Sequence, residues 1–147
     1  MADEVSRQLA TFRRLTGKDP THIDSHQHVH LQEPVRPIVI NVARHLGVPL
    51  RHYSSDVHYC GDFYGQTAEG SPYPYGTSVD GLMEILTNLP RGLTELCCHP
   101  GEEDELNTMY RSERLEEMKV LCHPRIRAAI SAMKIELRSF RDPSPEQ

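Results

Sequence analysis

The chain has 147 residues with 37% hydrophobic and 25% charged side chains, enough apolar material for one folded domain and too much for a disordered polymer. Sixteen Lys and Arg against 21 Asp and Glu leave a net charge of −5, so the positive field that a phosphate backbone requires is missing and nucleic acid is excluded as an expected partner. No stretch nears the roughly 20 consecutive apolar residues of a membrane helix, and the polar start Met1-Ala2-Asp3-Glu4 has no secretory pattern, which predicts a soluble, cytoplasmic protein without a membrane span.

In chain order, Val5, Leu9, Phe12 and Leu15 recur at helical spacing, and Gly17 stops the pattern, predicting a helix over residues 3–16. The short run His22-Ile23-Asp24-Ser25-His26 reads as a strand opening into a loop. Pro34 permits a helix start, and Val35, Ile38, Val39, Val42, Ala43 and Leu46 form an apolar stripe closed by Gly47. A strand over 48–50 follows. Residues 51–76, rich in Tyr, Gly, Pro, Asp and Ser, read as one long loop held by its aromatics.

Thr77 or Ser78 can cap a helix carrying Val79, Leu82, Met83 and Leu86, ended by Asn88 and Pro90. Residues 93–98 read as a strand broken by His99-Pro100-Gly101, and an acidic loop then leads into a helix over 112–121 with Leu115, Met118 and Leu121 inward. A shorter helix follows Pro124, residues 135–140 are a candidate last strand, and residues 142–147 form a polar tail predicted to be disordered. Strands alternating with helices are the grammar of a parallel sheet with crossover helices, so the predicted class is α/β, with residues 1–141 as the folded portion. Cys60, Cys97, Cys98 and Cys122 lack C-x-x-C spacing and read as buried thiols.

Reactive residues of parallel α/β folds gather where strands end, and two segments fit. Four of the nine histidines fall between Thr21 and Leu31. If that segment is extended, His22, Asp24, His26, His28 and His30 share a face; if its second half coils, His26 and His30 remain neighbours. Imidazoles beside a carboxylate suit a divalent metal ion, with Asp24 and His28 able to support the ligands from behind; the alternative is that these histidines cap or hydrogen-bond the backbone. His99 stands at a strand end between Cys98 and Pro100, placed for general acid or base work or for a simple turn. Arg51 can orient a carboxylate or lie on the surface. Phe63 and Tyr64 can wall a sugar ring or pin their loop. No phosphate-binding glycine loop, nucleophile elbow or H-E-x-x-H pair occurs, which disfavours nucleotide and covalent chemistry.

The run Pro20-Thr21-His22-Ile23-Asp24-Ser25-His26-Gln27-His28-Val29-His30-Leu31, followed in order by Gly47-Val48-Pro49-Leu50-Arg51, Phe63-Tyr64-Gly65 and Cys98-His99-Pro100-Gly101, resembles the YdjC-like carbohydrate deacetylases. The resemblance spans almost the whole chain. It implies part of a distorted (β/α) barrel and a metal-dependent hydrolase that removes N-acetyl groups from chitooligosaccharides or acetylglucosamine-bearing glycolipids. It further implies Mg or Zn as cofactor, His26 as a ligand, and His99 as the acid that protonates the departing amine; His30, the neighbour of His26 in the run, is expected as a second metal ligand. The family's Asp-Asp pair and a further ligand His precede the first helix and have no counterpart here. A full (β/α) barrel takes roughly 200 residues or more, so this chain reads as about half of one, its carboxyl-terminal half. Unpaired sheet edges then predict a homo-oligomer or completion by an upstream segment, with the isolated chain inactive. A non-catalytic metal-binding module and a degenerate deacetylase are the competing expectations.

Overall fold

The computed structural model describes residues 1–102 and 110–142. They divide into two compact units, one of residues 1–55 with 138–142 and one of residues 56–137 without the undescribed 103–109. The parallel α/β reading holds: the strands that form are parallel and helices connect them.

In the first unit, helix α1 (Ala2–Thr16) carries Asp3 and Glu4 in its first turn and Arg13 and Arg14 in its last, each charge set opposing the adjacent end of the helix dipole. Gly17, at φ 71°, ends it by donating its N–H to the Arg13 carbonyl at 2.8 Å. Helix α2 (Val35–Leu46) buries Val39 and Ala43, and Gly47 closes it in the same left-handed conformation. These residues form a core with Leu50, packed by Val5, Ile23, Val35 and Ile40.

The strands expected at 22–26 and 48–50 shrink to a single parallel bridge between Ile23 and Leu50. The Ile23 N–H donates to the Pro49 carbonyl at 2.9 Å, and the Arg51 N–H donates to the Ile23 carbonyl at 3.0 Å. Beyond it the chain coils into a 3₁₀ turn (His26–Leu31) kinked at Gln27 and His28, where φ is 52° and 53°. That kink overturns the extended face shared by His22 to His30, because a strand cannot pass through two left-handed residues.

In the second unit, β1 (Val57–Cys60) and β2 (Leu93–Leu96) pair in parallel, with Val57 opposite Leu93 and Cys60 opposite Leu96. β1 lies inside the stretch expected to be loop; it is only four residues long and its surroundings are turn-forming, which hid it. A parallel pair needs a crossover, and α3 (Val79–Thr87) lies in it. Ser78 caps α3 by accepting the Gly81 N–H at 2.9 Å. Helices α4 (Ser112–Leu121) and α5 (Pro124–Ala132) complete the unit, the latter capped by His123. Phe63, Leu82, Leu86, Val120, Ile126 and Ala129 form its core.

Three expectations fail here. Residues 135–140 form no strand, since they have no ladder partner among the described residues and Leu137 stays 76% exposed. On α4 the buried positions are Glu117 and Val120, while Leu115, Met118 and Leu121 are only half-buried. Cys60 and Cys97 are buried, but Cys98 is half-buried and Cys122 exposed. Most of the acidic loop and residues 143–147 of the expected tail lie outside the described residues. No described helix is long and apolar enough to cross a membrane.

Candidate functional site

In the first unit the polar cluster is built by local hydrogen bonds. The Ser25 N–H donates to Asp24 Oδ1 at 2.7 Å, and Ser25 Oγ accepts the His30 N–H at 3.0 Å. These bonds turn the backbone from the Ile23 bridge into the 3₁₀ turn and place the Asp24 carboxylate and the His30 ring on the same side of it. His30 is 1% exposed. Its Nε2 donates to the Arg51 carbonyl at 2.9 Å, because a carbonyl can only accept, and its Nδ1 lies 2.6 Å from Ser25 Oγ. Both ring nitrogens are therefore engaged within the chain.

The Arg51 guanidinium donates to Asp24 Oδ2 at 2.8 Å. Burial alone would raise the Asp24 carboxyl, but the Arg51 and Ser25 hydrogen bonds and the Arg51 charge outweigh it and hold the group below the usual carboxylate range. His28 meets His30 edge-on at 5.8 Å and His52 edge-on at 5.2 Å. Burial, then the neighbouring His52, depress its pKa and favour the neutral imidazole, the form that ligates metals.

One donor atom each from Asp24, His28 and His30 lies within 4.8 Å of the others, a possible metal-binding triad. A carboxylate and two imidazoles fit a divalent ion by donor chemistry. Ligation by His30 would exchange one of its two present bonds, and Asp24 would divide its charge between the ion and Arg51. His26, expected as a ligand, is exposed and outside this triad. His22 stacks on Phe140 at 4.0 Å and bonds Thr21 through Nδ1 at 3.0 Å, so its ring is occupied elsewhere.

In the second unit, His99 follows the end of β2, with its side chain 49% exposed. Glu117, fully buried on α4, accepts the His99 backbone N–H on one carboxylate oxygen and the Tyr110 hydroxyl on the other. The same carboxylate lies 3.9 Å from His99 Nδ1. Tyr110 also accepts the Gly65 N–H at 2.8 Å and stacks on Tyr64 at 4.4 Å. Both tyrosines meet the His99 ring edge-on. Burial, then the bond to Glu117, push the Tyr110 phenol far above its ordinary value. Burial, followed by the charges of Glu117 and Glu113, also raises Tyr64.

Phe63, expected to help wall a sugar, is 0% exposed within the core and offers no face to a ligand; half-buried Tyr64 keeps part of its ring accessible. The residues that sequence reasoning missed are His52, Tyr110 and Glu117. Nothing in the sequence separates Glu117 from Glu113 and Glu116 on the same charged helix.

A family profile described as YdjC-like protein matches residues 1–132. The chitooligosaccharide deacetylase of Serratia marcescens is 33% identical over 159 aligned residues, covering 95% of this chain and 59% of the relative. The chitooligosaccharide deacetylase of Klebsiella pneumoniae (strain 342) is 29% identical and covers 97% and 60%. The chain thus spans about 60% of the length of these relatives. Among solved structures, a candidate cellobiose-phosphate cleavage protein from Enterococcus faecalis V583 superposes with a TM-score of 0.74 at 21% identity, covering 95% of this chain and 59% of its own. The likeness is one of fold, that of a larger α/β protein of which this chain matches a part.

Proposed function

The chain belongs to the YdjC-like family, and from that premise we propose that it carries part of the machinery of a divalent-metal-dependent hydrolase removing N-acetyl groups from amino sugars of the chitooligosaccharide type. The observation that carries this reading is the convergence of Asp24, His28 and His30 within 4.8 Å. A divalent ion supplies, when bound, Lewis-acid polarisation of a carbonyl and activation of water. Asp24 and His28 would hold it, with His30 joining if it releases a present bond and His26 available from the exposed side of the same turn.

The chain's own residues supply the rest. Arg51 keeps the Asp24 carboxylate ionised and oriented, and Ser25 with the Arg51 carbonyl fixes the His30 ring. His99, its backbone N–H held by Glu117, serves as the proton donor to the departing amine. Tyr64 offers its accessible face to a sugar ring. A second reading, a non-catalytic metal-binding module, draws on the fact that all three donors of the cluster lie within one unit.

The test is acetate release from N-acetylglucosamine oligomers with added Mg or Zn and after chelation, alongside calorimetric titration of each ion into wild type, His28→Ala and His26→Ala. Metal-dependent acetate release supports the deacetylase. Ion binding lost in His28→Ala, with no acetate release from this chain or from a full-length relative carrying its segment, supports the module, and absence of both overturns the two readings. A drop in ion affinity in His26→Ala brings that residue into the ligand set.

A further inference from the structure

The second unit carries a groove of about 750 Å³ that starts at Gly61 and Asp62, the two residues after β1. Its form is set by backbone in close approach. A Cβ at Gly76 would lie 2.0 Å from the Tyr64 carbonyl oxygen, and one at Gly81 would lie 2.3 Å from that of Tyr75. Only glycine allows these contacts, so the shape of the groove is encoded at both positions.

Tyr73 and Tyr75 line it, 44% and 47% exposed, with ring centroids 6.2 Å apart and planes tilted by 57°. Such aromatic area left open to water is ready to be covered by a ligand with an apolar face. The Tyr75 hydroxyl donates to Glu84 Oε2 at 2.8 Å, which steadies the ring and leaves the other Glu84 oxygen to accept from a ligand. Asp62 brings a second carboxylate and Asn88 an amide.

Among the described residues lining the groove there is no Lys or Arg. Two carboxylates without a counter-cation repel anions and attract cations, which excludes a phosphorylated sugar as the fitting ligand. A pyranose has the C–H face that stacks on tyrosine, and a hexosamine with a free amine adds the positive charge. We propose that this groove binds amino-sugar units whose amine is free, the deacetylated part of an oligosaccharide, and thereby prefers chains that have already lost acetyl groups. The proposal rests on the amino-sugar reading of the family chemistry.

The experiment titrates the protein with three probes: the glucosamine trimer, the N-acetylglucosamine trimer and a phosphorylated glucose disaccharide. Binding is followed by tyrosine emission, which the absence of Trp leaves unobscured, and by calorimetry. The free-amine trimer is expected to bind about fivefold more tightly than the acetylated one and to weaken as salt rises. Tyr75→Ala weakens both trimers by about fivefold, and Glu84→Gln removes the difference between them. Tyr75→Phe, which keeps the ring and loses the Glu84 bond, serves if the alanine variant does not fold, and should retain most of the stacking.

Equal or tighter binding of the acetylated or phosphorylated probe overturns the proposal, as does unchanged binding in Tyr75→Ala. Acetate release with an unaltered KM in Tyr75→Ala overturns the groove while leaving the deacetylase reading intact. Amine-selective binding that Glu84→Gln abolishes, where neither this chain nor a full-length relative carrying its segment releases acetate, supports the groove and overturns that reading.

Discussion

The guanidinium of Arg51 donates to the carboxylate of Asp24 at 2.8 Å, tying together residues 27 positions apart. Its own carbonyl accepts from His30, so one residue braces two of the three converging donors. A cation entering the cluster meets the Arg51 charge close by. Arg51→Gln is therefore expected to raise divalent-ion affinity by about three- to tenfold in calorimetric titration, since two positive charges near one carboxylate repel. A fall in affinity would show that bracing outweighs repulsion.

The Glu117 carboxylate anchors both the backbone of His99 and the hydroxyl of Tyr110 from a fully buried position. Removing it leaves two donors without their acceptor, and Glu117→Ala should lower unfolding stability by about 2–4 kcal/mol in urea titration. His99→Gln changes a half-exposed side chain and should scarcely alter stability. If His99 is the proton donor, acetate release falls by about 10²–10⁴-fold while ion affinity stays put. Full activity in that variant removes His99 from the reaction.

Tyr110 gives a pH prediction at the alkaline end. Its phenol is held well above the ordinary value of 10.0 by burial and by donation to Glu117. Above pH ~10 an unfolded chain releases this proton while the folded chain retains it. The stabilisation is thus complete below that pH and drains away as the solution becomes more basic. Following tyrosinate absorbance, Tyr110→Phe should remove the latest-ionising phenol and flatten the alkaline decline in stability; an unchanged late phase contradicts the assignment.

Adjacent aromatics should separate stability from ligand contact. Phe63 lies wholly inside the second core, so Phe63→Ala should cost about 3–5 kcal/mol by the loss of its packing and the cavity left behind. Tyr64→Ala, at a half-buried ring stacked on Tyr110, should cost less and should weaken amino-sugar binding. Thermal unfolding and oligosaccharide titration of the two variants give both readouts, and equal losses of stability would contradict the division.

Helices α1, α2 and α3 are legible because apolar spacing and terminal glycines or capping residues declare them locally, whereas α4 is placed correctly but its expected apolar face is not the buried one. Ser78, Gly17 and Gly47 stand where the pattern places them. Strands depend on partners distant in sequence, so local pattern misses β1 and predicts at residues 135–140 a strand that has no partner among the described residues. The histidine run was legible as a place of converging donors, but the two left-handed residues Gln27 and His28 decide which rings meet, and neither residue type announces that backbone. Glu117 illustrates the remaining blind spot: a charged residue enters a core only when its hydrogen bonds are met there, and its partners come from segments that periodicity does not connect.

The 2.0 Å gap between a would-be side chain at residue 76 and the Tyr64 carbonyl has a genetic corollary. Every missense change in that codon collides with main chain that has no rotamer to yield. At residue 47, the empty space around the site leaves only conformational strain to resist replacement. In a saturation library screened for folded protein, the column for residue 76 should be bare, whereas the one for residue 47 should hold survivors, asparagine foremost.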